Sequence, residues 1–205
     1  MGAISQFGLS YPDKPYGRKH IYSLVVDDLC ISSVANFPQY DSLDCLLPKE
    51  QEIVDIINQE KEEGRNCFVY CSFTGEEESN IVRRLQRLVE RYCNLTGRVQ
   101  IIQASSPAPI AREEWMHQKA AEGMKVFICN PKVVETGLDF AFDYKGKSYN
   151  YPTIIFFQTN HELAVMWQAS RRSYRLNQPL ESRIYWLAYE GTLQATALEI
   201  GRAHV

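Results

Sequence analysis

Gln168 to Gln178, QASRRSYRLNQ, puts three arginines (Arg171, Arg172 and Arg175) between two glutamines within eleven residues. A guanidinium is a planar, permanently charged fork; it grips phosphate oxygens bidentately and stabilises charge that spreads during phosphoryl transfer. Thr159 and Glu162 have capping-box spacing, so a helix is expected to start at Thr159 or Asn160 and to present Leu163, Val165, Met166 and Trp167 to packing. On such a helix Gln168, Arg172 and Arg175 share a face. Arg171 lies four residues before Arg175, so spacing leaves the choice between Arg171 and Arg172 open. A helix C-terminus attracts cations through its dipole, which accounts more readily for one arginine than for three.

The second candidate stretch is NPKVVETGLDF, Asn130 to Phe140. Pro131 stops a preceding strand, and Gly137 permits close backbone approach to a ligand. Asp139 is placed to accept from a ribose hydroxyl; a capping glycine followed by a solvated acid is the plainer reading. Hydroxyls recur where strands are expected to end: Ser72 and Thr74 after the first core strand, Ser105 and Ser106 after the second. They suit a phosphate backbone, and they suit turns and caps equally well. Gly146-Lys147-Ser148 resembles the end of a phosphate loop, but the first glycine of that motif falls at Ala141. With Tyr144, Tyr149 and Tyr151 around it, this stretch reads as a hairpin tip, and the chain carries no Walker A motif.

These residues need a scaffold, and the pattern from Pro48 onward supplies one. Ile53, Ile56 and Ile57 recur at helical spacing before Gly64 ends the run. The apolar strand Cys67 to Phe73 follows. Next comes a helix through Ile81, Leu85, Leu88, Val89 and Tyr92, with Glu76 to Glu78 expected in its first turn. RVQIIQ, a helix from about Pro109 to Ala121, and the strands Met124 to Cys129, Pro152 to Gln158 and Arg183 to Tyr189 complete the alternation. Strands that read as continuous apolar runs are covered on both faces. The expected fold is therefore α/β, a doubly wound and mainly parallel sheet with helices on both faces, in which binding residues gather after the carboxyl ends of strands. Residues 1–47 read as an N-terminal extension or connector with one strand at Ile21 to Leu29, and residues 48–205 as the lobe itself.

Composition narrows the functional classes. The formal net charge of −3 means that contact with a polyanion must rest on a local basic patch. No apolar run reaches the ~18 residues of a membrane span, and Met1 to Ser10 does not open like a secretory signal. Six cysteines without CxxC spacing read as buried thiols of a reducing cytoplasm, and four scattered histidines give no metal-ligand pattern.

QASRRSYRLNQ resembles motif VI of superfamily 2 helicases, most closely the Snf2-type form, through Gln168, Ala169, Arg172, Arg175, Leu176 and Gln178. It departs at Arg171, Tyr174 and Asn177, where the family commonly has glycine or an acid, histidine and glycine. VETGLDF is similar to motif V, CFVYCSFT to motif IV, and RIYWLAYEGT to the Snf2-type segment after motif VI. The likeness runs in the family's order from about Leu47 to Val205. It implies a second RecA-like lobe, with Arg172 and Arg175 as arginine fingers, Gly137 and Asp139 on the nucleotide side, and Gln168 ordering the cleft. By the same resemblance Ser72, Thr74, Ser105 and Lys132 would follow a nucleic-acid backbone, and the Snf2-type features point to DNA. ATP and magnesium would be held chiefly by an N-terminal lobe of the same parent protein, so none is expected tightly bound to this chain and the isolated chain is expected to hydrolyse no ATP. The competing expectation is a helicase-like lobe that only docks nucleic acid or protein. A self-contained nucleotide enzyme would need a glycine-rich loop after an early strand, and none is present. The resemblance further implies a fragment of a longer protein.

Overall fold

The computed structural model describes residues 20–26, 29–35, 43–44, 46–71, 81–103, 107–134, 138–158, 163–190, 195–196 and 198–199. Within the N-terminal segment, β1 (His20–Val26) and β2 (Leu29–Ala35) pair antiparallel, with Val26 opposite Leu29. Leu29 thus opens a second strand, where the sequence was expected to end a single one. The LCISSVA run, with its two serines adjacent, carries too weak an alternation to announce it.

The lobe begins with α1 (Pro48–Glu62). Pro48 occupies its first turn, where a missing N–H is harmless, and the Glu50 carboxylate accepts from the Leu47 N–H at 3.0 Å. Gly64, at φ +74°, takes the left-handed turn that ends the helical run. Then follow β3 (Cys67–Tyr70), α2 (Val82–Tyr92), β4 (Val99–Ile102), α3 (Arg112–Ala121) and β5 (Val126–Cys129). A single 3₁₀ turn, Pro109–Ala111, leads into α3. α2 starts at Val82 with no acidic residue in its first turn; Glu76 to Glu78, expected there, lie outside the described residues.

β6 (Ala141–Tyr144) and β7 (Lys147–Asn150) form the hairpin expected around Gly146. Lys145 and Gly146 both have positive φ, 50° and 76°, as the tightest hairpin turns demand. The chain continues through β8 (Thr153–Phe156), α4 (Leu163–Ser170) and β9 (Arg183–Trp186).

β3, β4, β5, β8 and β9 make one parallel sheet in the order β4-β5-β3-β8-β9. Its three central strands are buried at every position. Side-chain alternation divides the core into two layers. Val69, Ile128 and Ile155 face Ile53, Ile57, Leu85 and Val89 of α1 and α2. Phe68, Phe127, Ile154 and Phe156 face Met116 and Ala120 of α3 and Met166 and Ala169 of α4. Each large side chain so buried contributes on the order of 1.5–3 kcal/mol. This is the expected doubly wound, mainly parallel α/β fold.

Two charged clusters lie inside this apolar frame. Arg84 of α2 donates to both oxygens of Glu50, at 2.6 and 2.9 Å, and both side chains are almost wholly buried. Glu60, fully buried at the other end of α1, accepts from Arg65 at 2.5 Å, Arg183 at 2.9 Å, Tyr185 at 3.0 Å and the Thr153 hydroxyl. One carboxylate thereby ties α1 to the amino ends of β8 and β9. Among the described residues no helix is long and apolar enough to cross a membrane.

Candidate functional site: the arginine turn over the sheet

α4 ends at Ser170, short of the arginines. The Ser170 hydroxyl donates back to the Trp167 carbonyl at 2.7 Å, and the N–H groups of Arg171 and Arg172 bond three residues back, to Gln168 and Ala169. A helix that tightens to i−3 bonds and back-bonds its own serine is closing. Arg172 and Arg175 therefore do not share a helix face with Gln168, as their spacing suggested. They are carried by a turn that runs from Arg171 to Gln178, with Tyr174 N–H bonded to Arg171 and Gln178 N–H to Arg175. The expected start at Thr159 or Asn160, with Glu162, lies outside the described residues.

The turn nevertheless brings the arginines to the second candidate stretch. Arg172 Nη1 donates to the Leu138 carbonyl at 3.4 Å, and Arg175 Nε lies 3.3 Å from Asp139 Oδ1. Asn177 Nδ2 anchors the turn on the Ala141 carbonyl at 2.6 Å, and Ser182 Oγ braces it through the Ser173 carbonyl at 2.9 Å. Three of the four positions from 138 to 141, Leu138, Asp139 and Ala141, thus hold one loop. Arg172 is half-buried, whereas Arg175 and Asp139 keep 44% and 52% of their side chains exposed. Arg171 is turned away and lies over the Trp167 ring, 4.7 Å from its centroid. That contact separates Arg171 from Arg172, which the spacing could not do.

The other expected site residues distribute differently. Gln168 is exposed on α4. Lys132 is exposed in the 3₁₀ segment Pro131–Val134 that follows β5 and packs against α4; its N–H is held by Asn130 Oδ1 at 2.9 Å. Ser72, Thr74, Ser105 and Gly137 lie outside the described residues. Sequence reasoning did not single out Tyr70, the last residue of β3. Its side chain is fully buried, its hydroxyl has no hydrogen-bond partner among the described residues, and burial pushes its pKa up while the Arg172 charge pulls the other way. An aromatic in an apolar strand carries no local mark of such a role.

On chemistry, this surface offers two guanidinium groups and one carboxylate, half-open to solvent. It fits an anion presented from outside. Among the described residues no cluster of three or more His, Cys, Asp or Glu side chains is placed for a metal ion. No phosphate cradle lies at Gly146 either, since Lys147 opens a hairpin strand in place of a helix.

No family model and no curated protein matches the sequence. Among solved structures the chain is similar to the crystal structure of the C-terminal part of the Fun30 ATPase domain, with 14% identity and a TM-score of 0.57, over 75% of this chain and 44% of that one. A second similarity is to the Pyrococcus furiosus Hef helicase domain, with 16% identity and a TM-score of 0.48, over 76% of this chain and 28% of that one. The lobe has a helicase-like, RecA-type fold. The chain spans less than half the length of each of these two solved structures.

Proposed function

We propose that this chain is the second motor lobe of an ATP-dependent nucleic-acid helicase or translocase of the Snf2 type, with Arg172 and Arg175 as its arginine fingers. The observation that carries the reading is the convergence of both arginines on Leu138 and Asp139 while Arg171 is held away on Trp167. ATP, with magnesium, would be bound mainly by the N-terminal lobe of the same parent protein. Bound there, it supplies the phosphoryl group whose transfer drives the motor. The residues of this chain do something narrower. Arg172 and Arg175 present fixed positive charge to phosphate oxygens, and the Asp139 carboxylate orients Arg175. Gly137 and Gln168 complete the cleft side, and Ser72, Thr74, Ser105 and Lys132 contribute to a nucleic-acid track, by preference on DNA. In this reading the protein works in the cytoplasm.

A second reading, a docking lobe without catalytic use of the arginines, is favoured by one contact: Arg175 already has a carboxylate partner. The two separate when this chain is joined to its N-terminal lobe and Arg172→Ala and Arg175→Ala are made singly. Fingers require turnover to fall by about 10³-fold or more with nucleic-acid affinity retained. Loss of binding with turnover per bound complex intact selects the docking lobe. Magnesium-dependent ATP hydrolysis by residues 1–205 alone would overturn the division of labour.

A further inference from the structure

Six buried side-chain polar atoms lack a hydrogen-bond partner among the described residues, and three of them belong to Tyr70, Ser173 and Gln178. Ser173 and Gln178 are on the arginine turn itself. Tyr70 packs in the same cluster as Leu138 and Ala169, the two residues to which Arg172 is bonded through its side chain and its backbone. The Tyr70 backbone is fixed as well, since its carbonyl accepts from Phe157 at 3.0 Å and its ring lies 5.0 Å from that of Phe156. A buried hydroxyl without a partner is costly, and tyrosine hydroxyls in protein cores ordinarily find one. A phenylalanine would fill the same apolar space without that cost. Arg172, meanwhile, reaches the Leu138 carbonyl at only 3.4 Å, longer than a well-made N–H···O bond.

We propose that the Tyr70 hydroxyl is a positioning group for Arg172, a buried acceptor that takes a guanidinium N–H when Arg172 turns from the Leu138 carbonyl toward phosphate. The inference rests on the reading of Arg172 as a finger. Tyr70 touches neither nucleotide nor reacting atoms in this scheme; it limits the orientations open to the guanidinium. A hydroxyl already bonded at rest and a hydroxyl held for the working state differ in what its removal does. Deleting a bonded one destabilises the fold. Deleting an unbonded buried one leaves stability equal or higher, because no partner is stranded and a desolvated polar group disappears.

The test is Tyr70→Phe, an isosteric change, read in two ways. Urea unfolding of residues 1–205 is expected to give a midpoint equal to or above that of the parent chain. In the protein containing both lobes, kcat for ATP hydrolysis is expected to fall about tenfold, the worth of one hydrogen bond to a charged group, with KM for ATP unchanged. Tyr70→Leu, which also lacks the hydroxyl, is expected to show the same kcat loss at reduced stability, so that the kinetic effect follows the hydroxyl and not the fold. Unchanged kcat in Tyr70→Phe, or a lowered urea midpoint, overturns the proposal. Arg172→Ala separates the two layers of inference: if it leaves turnover intact, the finger reading itself is lost, whereas a slow Arg172→Ala beside a normal Tyr70→Phe removes Tyr70 alone.

Discussion

Arg175 Nε lies 3.3 Å from Asp139 Oδ1, across a segment boundary of 36 residues, with both side chains about half exposed. An ion pair with that exposure is screened and contributes at most about 1 kcal/mol to stability. Its value is therefore in orientation. Asp139→Asn is expected to move the urea midpoint of residues 1–205 very little, while lowering turnover in the two-lobe protein by less than Arg175→Ala does. A large loss of stability, or turnover lost to the same extent as in Arg175→Ala, would show that the carboxylate does more than orient Arg175.

The sheet was legible because its strands are covered on both sides. Phe68-Val69, Phe127-Ile128 and Ile154-Ile155 have no polar alternation to confuse the pattern, and burial at every position is what the structure shows. The Gly146 hairpin was legible from its turn chemistry. The arginine turn was legible in composition but not in shape. Helical spacing extends a helix through Arg175, and only the closing contacts at Ser170 end it. Least legible were Glu60 and Arg84. Each stands among polar residues on a helix and resembles its solvated neighbours. Of the four partners of Glu60 only Arg65 is near in sequence; the other three lie 93, 123 and 125 residues away, where no local window can see them.

The hairpin gives a sharp negative expectation. Gly146 has φ +76° with nothing within 4 Å of an added Cβ, so backbone strain alone opposes a substitution. Gly146→Val is expected to cost roughly 1–3 kcal/mol in urea unfolding. Lys147→Ala, which would abolish function in a true phosphate loop, is expected to leave ATP turnover of the two-lobe protein unchanged. A collapse of turnover in Lys147→Ala would reinstate the phosphate-loop reading.

Glu50 and Arg84 form the buried bidentate pair that ties α1 to α2. Removing one partner strands a charge in the core, so Arg84→Ala or Glu50→Ala is expected to destabilise residues 1–205 by about 3–5 kcal/mol. The combined replacement Glu50→Leu with Arg84→Met leaves no stranded charge. It is expected to recover most of that loss, measured by urea unfolding in a double-mutant cycle whose single variants are Glu50→Leu and Arg84→Met. Additive losses would mean that the two charges are solvated independently.

Glu60 connects acidity to the integrity of the sheet. Desolvation by burial is the largest influence on its carboxyl and acts to raise the pKa, but the hydrogen bonds from Thr153, Arg183, Arg65 and Tyr185 together outweigh it and hold the pKa below the ordinary value. A carboxyl with a folded pKa below its unfolded one binds fewer protons in the folded state. Its contribution is complete above the unfolded value of about 4.3 and is lost as pH falls through the folded value beneath it. Glu60→Gln keeps the shape of the hub but not its charge, so it is expected to be less stable than the parent chain at pH 6. The gap between the two should close as the pH is lowered from about 4 toward 2, followed by urea midpoints at each pH. A gap of constant size over that range would mean that the ionised state of Glu60 contributes nothing to the fold.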